Sequence, residues 1–338
     1  MKTIAELEEY LSKPSLELIE QIGALEGDIL ILGVGGKMGP TLAKMAKRAI
    51  DSAGVEKRVI GVSRFSTGFL KQELEDFGIE TITMDLLDEG AIDALPNVKN
   101  IIYMAGNKFG THGNEHLTWA MNAYLPGRVA EKFKDSRIVV FSSGNVYPLT
   151  KVGSTNCSEE TAPKPIGEYA QSCLARERVF TYFSYKNETP ILIYRLNYAI
   201  DLRYGVLLEI AKHVHEGNPI DLTMGSVNVI WQGDANDYAL RSLLHCESPP
   251  KTLNITGPET ISVRWLANEF GTHFNNNPRF INEEQPTALL NNASKAHKLF
   301  GYPKVTLNEM IELVADWVRA DGETLNKPTH FQEREGVF

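Results

Sequence analysis

The chain has 338 residues, 43% of them hydrophobic and 23% charged, with a formal net charge of −9. That length fits two domains or one large α/β domain with a lid, and the composition excludes disorder, collagen and disulfide scaffolds. The longest apolar runs fall far short of a membrane span, the start lacks the apolar core of a signal peptide, and the negative balance argues against nucleic acid or an anionic membrane as the main partner.

Residues 1–26 read as a helical lead-in, with Leu7, Leu11, Leu16 and Leu18 interleaved with glutamates. Short apolar runs at 28–32, 58–62, 80–84, 100–104, 137–142 and 190–194 then alternate with helical stretches at 40–52, 117–134 and 168–183. This alternation predicts parallel strands joined by right-handed crossovers, with helices on both faces. Beyond Asn197 the texture changes. A helix over 205–216 stops at Gly217, and apolar runs follow at 219–224 and 227–231. A helix over 235–244, a strand at 252–255 and amphipathic helices over 262–274 and 307–319 complete the pattern before a polar end. The expected fold class is α/β, a doubly wound parallel sheet with a smaller C-terminal lobe.

The first predicted strand runs into Gly33-Val34-Gly35-Gly36-Lys37-Met38-Gly39, which opens the first crossover helix. Gly33, Gly36 and Gly39 satisfy G-x-x-G-x-x-G. In that context one glycine makes the tight turn, one lets backbone approach a pyrophosphate, and one lets helix and strand pack closely. The phosphates then lie on a helix N-terminus, where N–H groups and the dipole favour anions, so Gly33, Gly36, Lys37, Met38 and Gly39 are the expected cofactor-binding residues here. The pattern predicts a dinucleotide-binding Rossmann domain over 27–200, with 228–246 returning to it. A substrate lobe is expected over 201–227 and 247–325, and a tail over 326–338. The second strand ends in Ser63 and Arg64 with no carboxylate, so NADP is preferred over NAD, the guanidinium gripping a 2′-phosphate. Asp85 and Leu86, after the third strand, are expected at the adenine edge.

Further segments resemble the extended short-chain dehydrogenase/reductases, the NAD-dependent epimerase/dehydratase group, over about residues 27–319. Met104-Ala105-Gly106 is similar to that family's turn beside the cofactor, and Asn122 to its common asparagine. Phe141-Ser142-Ser143-Gly144-Asn145-Val146-Tyr147 is similar to its serine segment, with Ser143 in the catalytic position. Tyr169 opens the segment where the family has Tyr-x-x-x-Lys, and Arg195-Leu196-Asn197-Tyr198 resembles the strand end facing nicotinamide and substrate. The resemblance implies that Tyr169 is the acid/base, that Ser143 holds the substrate oxygen, and that Asn197 and the Met104–Ala105–Gly106 turn border the cofactor. It also implies a homodimer formed through the helices at 122–134 and 169–183, with Leu125, Val129, Phe133, Leu174 and Phe180 as apolar surplus.

Two departures from the family stand out. Where the family has its lysine, this chain has Cys173, and a neutral thiol supplies no positive charge. Lys108 is the first candidate to replace that charge and Arg176 the second. Cys173 itself, with no paired histidine in the sequence nearby, reads as a small buried hydrophobe rather than a nucleophile. Members acting on nucleotide sugars carry an arginine seven residues before the aspartate matching Asp234, and here that position is Val227. A nucleotide-diphosphate sugar is therefore not expected, and a free sugar, sugar acid or similar carbonyl compound fits better.

His112, Glu115 and His116 cluster without metal-clamp spacing, so no metal is expected. Cys157, Cys173 and Cys246 form no close pair, which fits a reducing cytoplasm. The expected function is an NAD(P)-dependent oxidoreductase or epimerase on a sugar-like hydroxyl or carbonyl. In it Tyr169 and Ser143 would act on the small-molecule substrate, supported by Asn122 or Lys108. The alternative is a dinucleotide-binding regulator with impaired catalysis.

Overall fold

A computed structural model describes residues 1–66, 68–108 and 113–336. The lead-in is two helices. α1 (Ile4–Leu11) starts in a capping box between Thr3 and Glu6, and α2 (Leu16–Ala24) is capped by Ser15. Leu7 and Leu11 enter the core of the C-terminal lobe, while Leu18 and Ile22 pack against the main sheet. Leu16 stays exposed. Lys44 of the first crossover helix pairs with Glu8 of α1, tying the lead-in to that helix.

The main sheet has seven strands: β1 (Ile29–Leu32), β2 (Val59–Ser63), β3 (Glu80–Thr83), β4 (Asn100–Tyr103), β5 (Arg137–Ser143), β6 (Ile191–Leu196) and β7 (Lys251–Ile255). All are parallel, in the spatial order β3-β2-β1-β4-β5-β6-β7. This is the doubly wound Rossmann arrangement, whose order reverses between β1 and β4, where ligands bind at the carboxyl ends. Continuous apolar runs suit strands covered on both faces. On β1, Ile29 and Ile31 enter one face's core and Leu30 and Leu32 the other's.

The crossovers are α3 (Gly39–Ala53), α4 (Leu70–Asp76), a composite helix, and α7 (Gly167–Asn187). The composite is α5 (Glu115–Trp119), a π-helical turn (Ala120–Tyr124) and α6 (Leu125–Lys132). The expected continuous helix is thus broken around Asn122, and π-turns recur at functional sites. α4 was not anticipated: its sequence LKQELED buries only Leu74 and has no side-chain cap.

The lobe carries α8 (Val206–Glu216), α10 (Val263–Phe274), α11 (Ser294–Phe300) and α12 (Leu307–Arg319). Between them α9 (Gln232–Arg241) packs back on the sheet, its Gln232 and Asn236 amides donating to the Thr41 hydroxyl of α3. The run expected at 227–231 is two short strands. Ser226–Val227 pairs antiparallel with Ile261–Ser262, and Ile230–Trp231 pairs parallel with Ala199–Ile200. Short strands at Arg279–Ile281 and Thr287–Ala288 and the helix α11 lay outside the sequence expectation. The polar end is not loose: Thr329 and Phe331 are buried, and Arg334 donates to the carbonyl and hydroxyl of Thr287.

Leu125, Val129, Phe133 and Phe180 are fully buried within one chain, so they are sheet core and not surplus surface. Leu174 is half-buried against the small cluster around Cys173. Among the described residues no helix is long and apolar enough to cross a membrane.

Candidate active site

The glycine loop separates two jobs by geometry. Gly33 has φ +92°, and a Cβ there would lie 2.7 Å from the Ala105 nitrogen, so the turns after β1 and β4 meet in backbone contact. At Gly39 a Cβ would lie 2.1 Å from the Val34 carbonyl oxygen, so this residue lets α3 pack on the loop. Gly36 differs: its Cβ would meet only the Gly33 carbonyl oxygen, at 3.4 Å, and otherwise faces open space. Met38 occupies the N-cap of α3 and provides no side-chain cap, and a proline follows within the first turn. An uncapped N-terminus beside a glycine facing open space is a cradle that fits a pyrophosphate.

A cavity of about 300 Å³ opens at the carboxyl ends of the strands. The loop residues Gly33, Gly36, Lys37 and Met38 line it, with Met104, Gly106 and Lys108 after β4. Ser143 ends β5, Tyr169 stands on α7 and Asn197 follows β6, and all three line it too. Gly39 and Ala105 support this wall from behind through the contacts above. Ser63, Arg64, Asp85 and Leu86 lie outside the cavity, at the ends of β2 and β3. Arg64 is largely exposed and sits 3.8 Å from the Asp85 carboxylate, while Leu86 is buried. A Cβ on Gly35 would lie 2.4 Å from the Ser63 hydroxyl, so this end closes on the loop.

Asn122 does not reach the cavity, which corrects its expected place among the catalytic groups. Its side chain accepts from the Asn107 N–H at 2.9 Å and from Arg176 at 2.7 Å, and donates to the Asn107 carbonyl and the Ser172 hydroxyl. It is a positioning residue that welds the loop after β4 to α7.

Tyr169 and Ser143 come together at the cavity floor. Burial pushes the Tyr169 phenol well above its ordinary value. The neighbouring Cys173 thiol adds to this, while the Arg176 guanidinium and a hydrogen bond with Ser143 oppose it. Cys173 is fully buried and its own pKa is raised, so it stays a neutral thiol. The Lys108 ammonium lies 5.9 Å from the Tyr169 ring centroid, and burial lowers its pKa to about 8. Arg176, ranked second from sequence, is the cation acting against the phenol's upward shift. Its guanidinium is also held by the Phe141 carbonyl at 2.8 Å. Of the cluster His112, Glu115 and His116, His112 lies outside the described residues.

Beneath this floor lies a buried network that the sequence reading missed. Arg195 grips Glu177 through two bonds, at 2.9 and 2.6 Å, and donates to the Tyr147 hydroxyl at 2.6 Å. The Ser142 hydroxyl donates to Glu177, and Tyr147 to Asn254. The clue was available: a lone arginine in the apolar run of β6 must find an anion inside. Glu177→Ala leaves that guanidinium unpaired and is expected to cost about 3–5 kcal/mol, read by denaturant unfolding. A loss below about 1 kcal/mol would show the pair to be no better than a surface bridge. Thr329, from the chain's far end, also lines the cavity, and no local pattern announces it.

A family model described as "NAD dependent epimerase/dehydratase family" matches residues 29–249. Among curated proteins nothing matches the sequence. The fold is similar to a UDP-glucuronic acid 4-epimerase from Bacillus cereus, solved with UDP-glucuronic acid and NAD, at 18% identity and a TM-score of 0.71, over 86% of this chain and 99% of that one. It is similar to a Thermus thermophilus UDP-glucose 4-epimerase in complex with NAD, at 18% identity and TM-score 0.70, over 86% and 99%. An epimerase from Methanothermobacter thermautotrophicus matches at 18% identity and TM-score 0.72, over 90% and 96%. At this identity the likeness concerns the fold.

Proposed function

The chain belongs to the NAD dependent epimerase/dehydratase family, and from that premise we propose that its cavity uses a nicotinamide dinucleotide to oxidise a sugar-like hydroxyl, to reduce the corresponding carbonyl, or to epimerise the carbinol carbon through the two steps in turn. The observation that carries this reading is the meeting of the Ser143 and Tyr169 hydroxyls in one cavity with the glycine cradle. The bound nicotinamide would supply the hydride acceptor or donor. Ser143 donates to the Asn145 carboxamide oxygen and accepts from the Asn145 backbone N–H, which fixes the hydroxyl at the cavity floor, where it can orient the substrate oxygen. Tyr169 moves the substrate proton. Cys173 stands in the position of the family lysine, and Arg176 with Lys108 supplies the positive charge that helps the phenolate form.

A UDP-sugar belongs in the substrate panel because two of the similar structures name one. The expectation against a nucleotide sugar, drawn from Val227, is therefore withdrawn: Val227 is fully buried in apolar core and does not face a ligand. The end of β2, with Ser63 and Arg64 and no carboxylate, is the feature that favours NADP(H), whereas two of the similar structures named above hold NAD. Arg64→Ala is expected to weaken NADPH binding roughly tenfold and to leave NADH unchanged, since only the former offers a 2′-phosphate. Equal losses, or a wild type that favours NADH, would make Arg64 a surface charge.

A homodimer is also part of this reading. The composite helix and α7 expose Trp119, Tyr124, Tyr182 and Tyr185, a set distinct from the buried residues first expected there. Light scattering is expected to give twice the chain mass, and a monomer at micromolar concentration would contradict it.

A further inference from the structure

Lys37 sits in the glycine loop, yet its side chain turns from the loop toward the lobe. Its ammonium donates to the Ala199 carbonyl at 2.9 Å and lies 4.6 Å from the centroid of the Tyr204 ring. Among the described residues no carboxylate lies within ion-pair distance of it. Asp201, whose field it feels, is fully buried and already accepts from the N–H groups of Arg203 and Tyr204 and from the Arg203 guanidinium. Lys37, Lys108 and Arg176 all line the cavity, and among the described residues no aspartate or glutamate does. Arg176 is occupied by Phe141 and Asn122, and Lys108 stands over Tyr169. Lys37 thus has one protein acceptor for three N–H donors. Lys37 is half-buried, and a desolvated ammonium without a counter-ion is costly, in line with a pKa lowered to about 8 by that desolvation.

We propose that Lys37 is the counter-ion for an anionic group of the substrate, a carboxylate or a phosphate, so that the cavity takes an acidic or phosphorylated sugar in preference to a neutral one. This rests on the reading of the cavity as a nicotinamide-dependent sugar site. In that reading the backbone around Gly36 holds the cofactor pyrophosphate. The Lys37 side chain, reaching Ala199 and Tyr204, serves the neighbouring substrate space.

The test is a titration of the full chain in two stages. NADH binding is followed by fluorescence. The protein loaded with NADP⁺ or NAD⁺, whichever form wild type binds more tightly, is then titrated calorimetrically with glucuronate, glucose 1-phosphate and glucose, for wild type, Lys37→Met and Lys37→Arg. At least one anionic probe is expected to bind wild type about tenfold or more tightly than glucose, the usual effect of a desolvated charge pair. Which anion is preferred tells carboxylate from phosphate. Lys37→Met should erase the preference while keeping NADH affinity and thermal stability, and Lys37→Arg should retain part of it. The proposal is overturned if no anionic probe outbinds glucose, or if the preference survives in Lys37→Met. It is also overturned if Lys37→Met loses NADH affinity alone, which would assign the lysine to the cofactor. Failure of wild type to bind NADH or NADPH would instead overturn the underlying reading of the cavity.

Discussion

Gly36→Val is expected to abolish dinucleotide binding while leaving the fold intact. The contrast with its neighbours is the reason. A Cβ at Gly36 meets only the Gly33 carbonyl oxygen, at 3.4 Å, an ordinary contact. Among the described residues nothing crowds a Cβ there. What a valine would fill is the open space at the uncapped start of α3, where a pyrophosphate must come within hydrogen-bond distance of backbone. At Gly39 the same change would drive a Cβ to 2.1 Å from the Val34 carbonyl oxygen and displace α3. Gly36→Val should therefore melt like wild type and fail to quench or enhance NADH fluorescence. Gly39→Val should lose both stability and binding. Wild-type affinity in Gly36→Val would mean that the loop is only a turn.

The second large effect is on turnover. Tyr169→Phe keeps the ring against its neighbours and removes the hydroxyl, so fold and cofactor affinity should survive. Turnover on a productive substrate is expected to fall by roughly 10²–10⁴, the usual worth of a positioned acid/base. Because burial and Cys173 raise the phenol, the native enzyme should work best at the alkaline side of neutrality. Cys173→Lys adds a cation beside the hydroxyl, favours phenolate, and should move the pH–rate profile to lower pH. Cys173 is fully buried, with Arg176 and Lys108 already near, so that variant should also lose stability. Full activity in Tyr169→Phe would remove the tyrosine mechanism. A wild type silent on a broad sugar panel would leave the dinucleotide-binding regulator.

Much of the sheet was legible because each parallel strand is an unbroken apolar run, a local property. The glycine loop was legible because backbone approach demands glycine whatever surrounds it. The site's supports were not. The direction in which α6 and α7 turn their apolar faces depends on the sheet beneath, so Leu125, Val129 and Phe180 read equally well as core or as contact surface. Asn122 was legible as a supporting residue, but not its partners, since a carboxamide fully spent on Asn107, Arg176 and Ser172 looks in sequence like one that reaches the cavity. Arg176 was ranked below Lys108 because helical spacing says nothing of which cation faces the phenol. Thr329 and Phe331 are isolated in a polar stretch, and only tertiary contact, with the Glu209 carboxylate accepting the Thr329 N–H, makes Thr329 part of the cavity wall and Phe331 part of the lobe's core.

The most direct test is a crystal structure grown with NAD⁺ or NADP⁺. Density for the pyrophosphate should lie against residues 33–39 and the nicotinamide ring should stand over Ser143 and Tyr169, with Lys37 directed past it into the remaining space. A dinucleotide seated elsewhere, or one whose nicotinamide lies outside this cavity, would contradict the assignment of the active site.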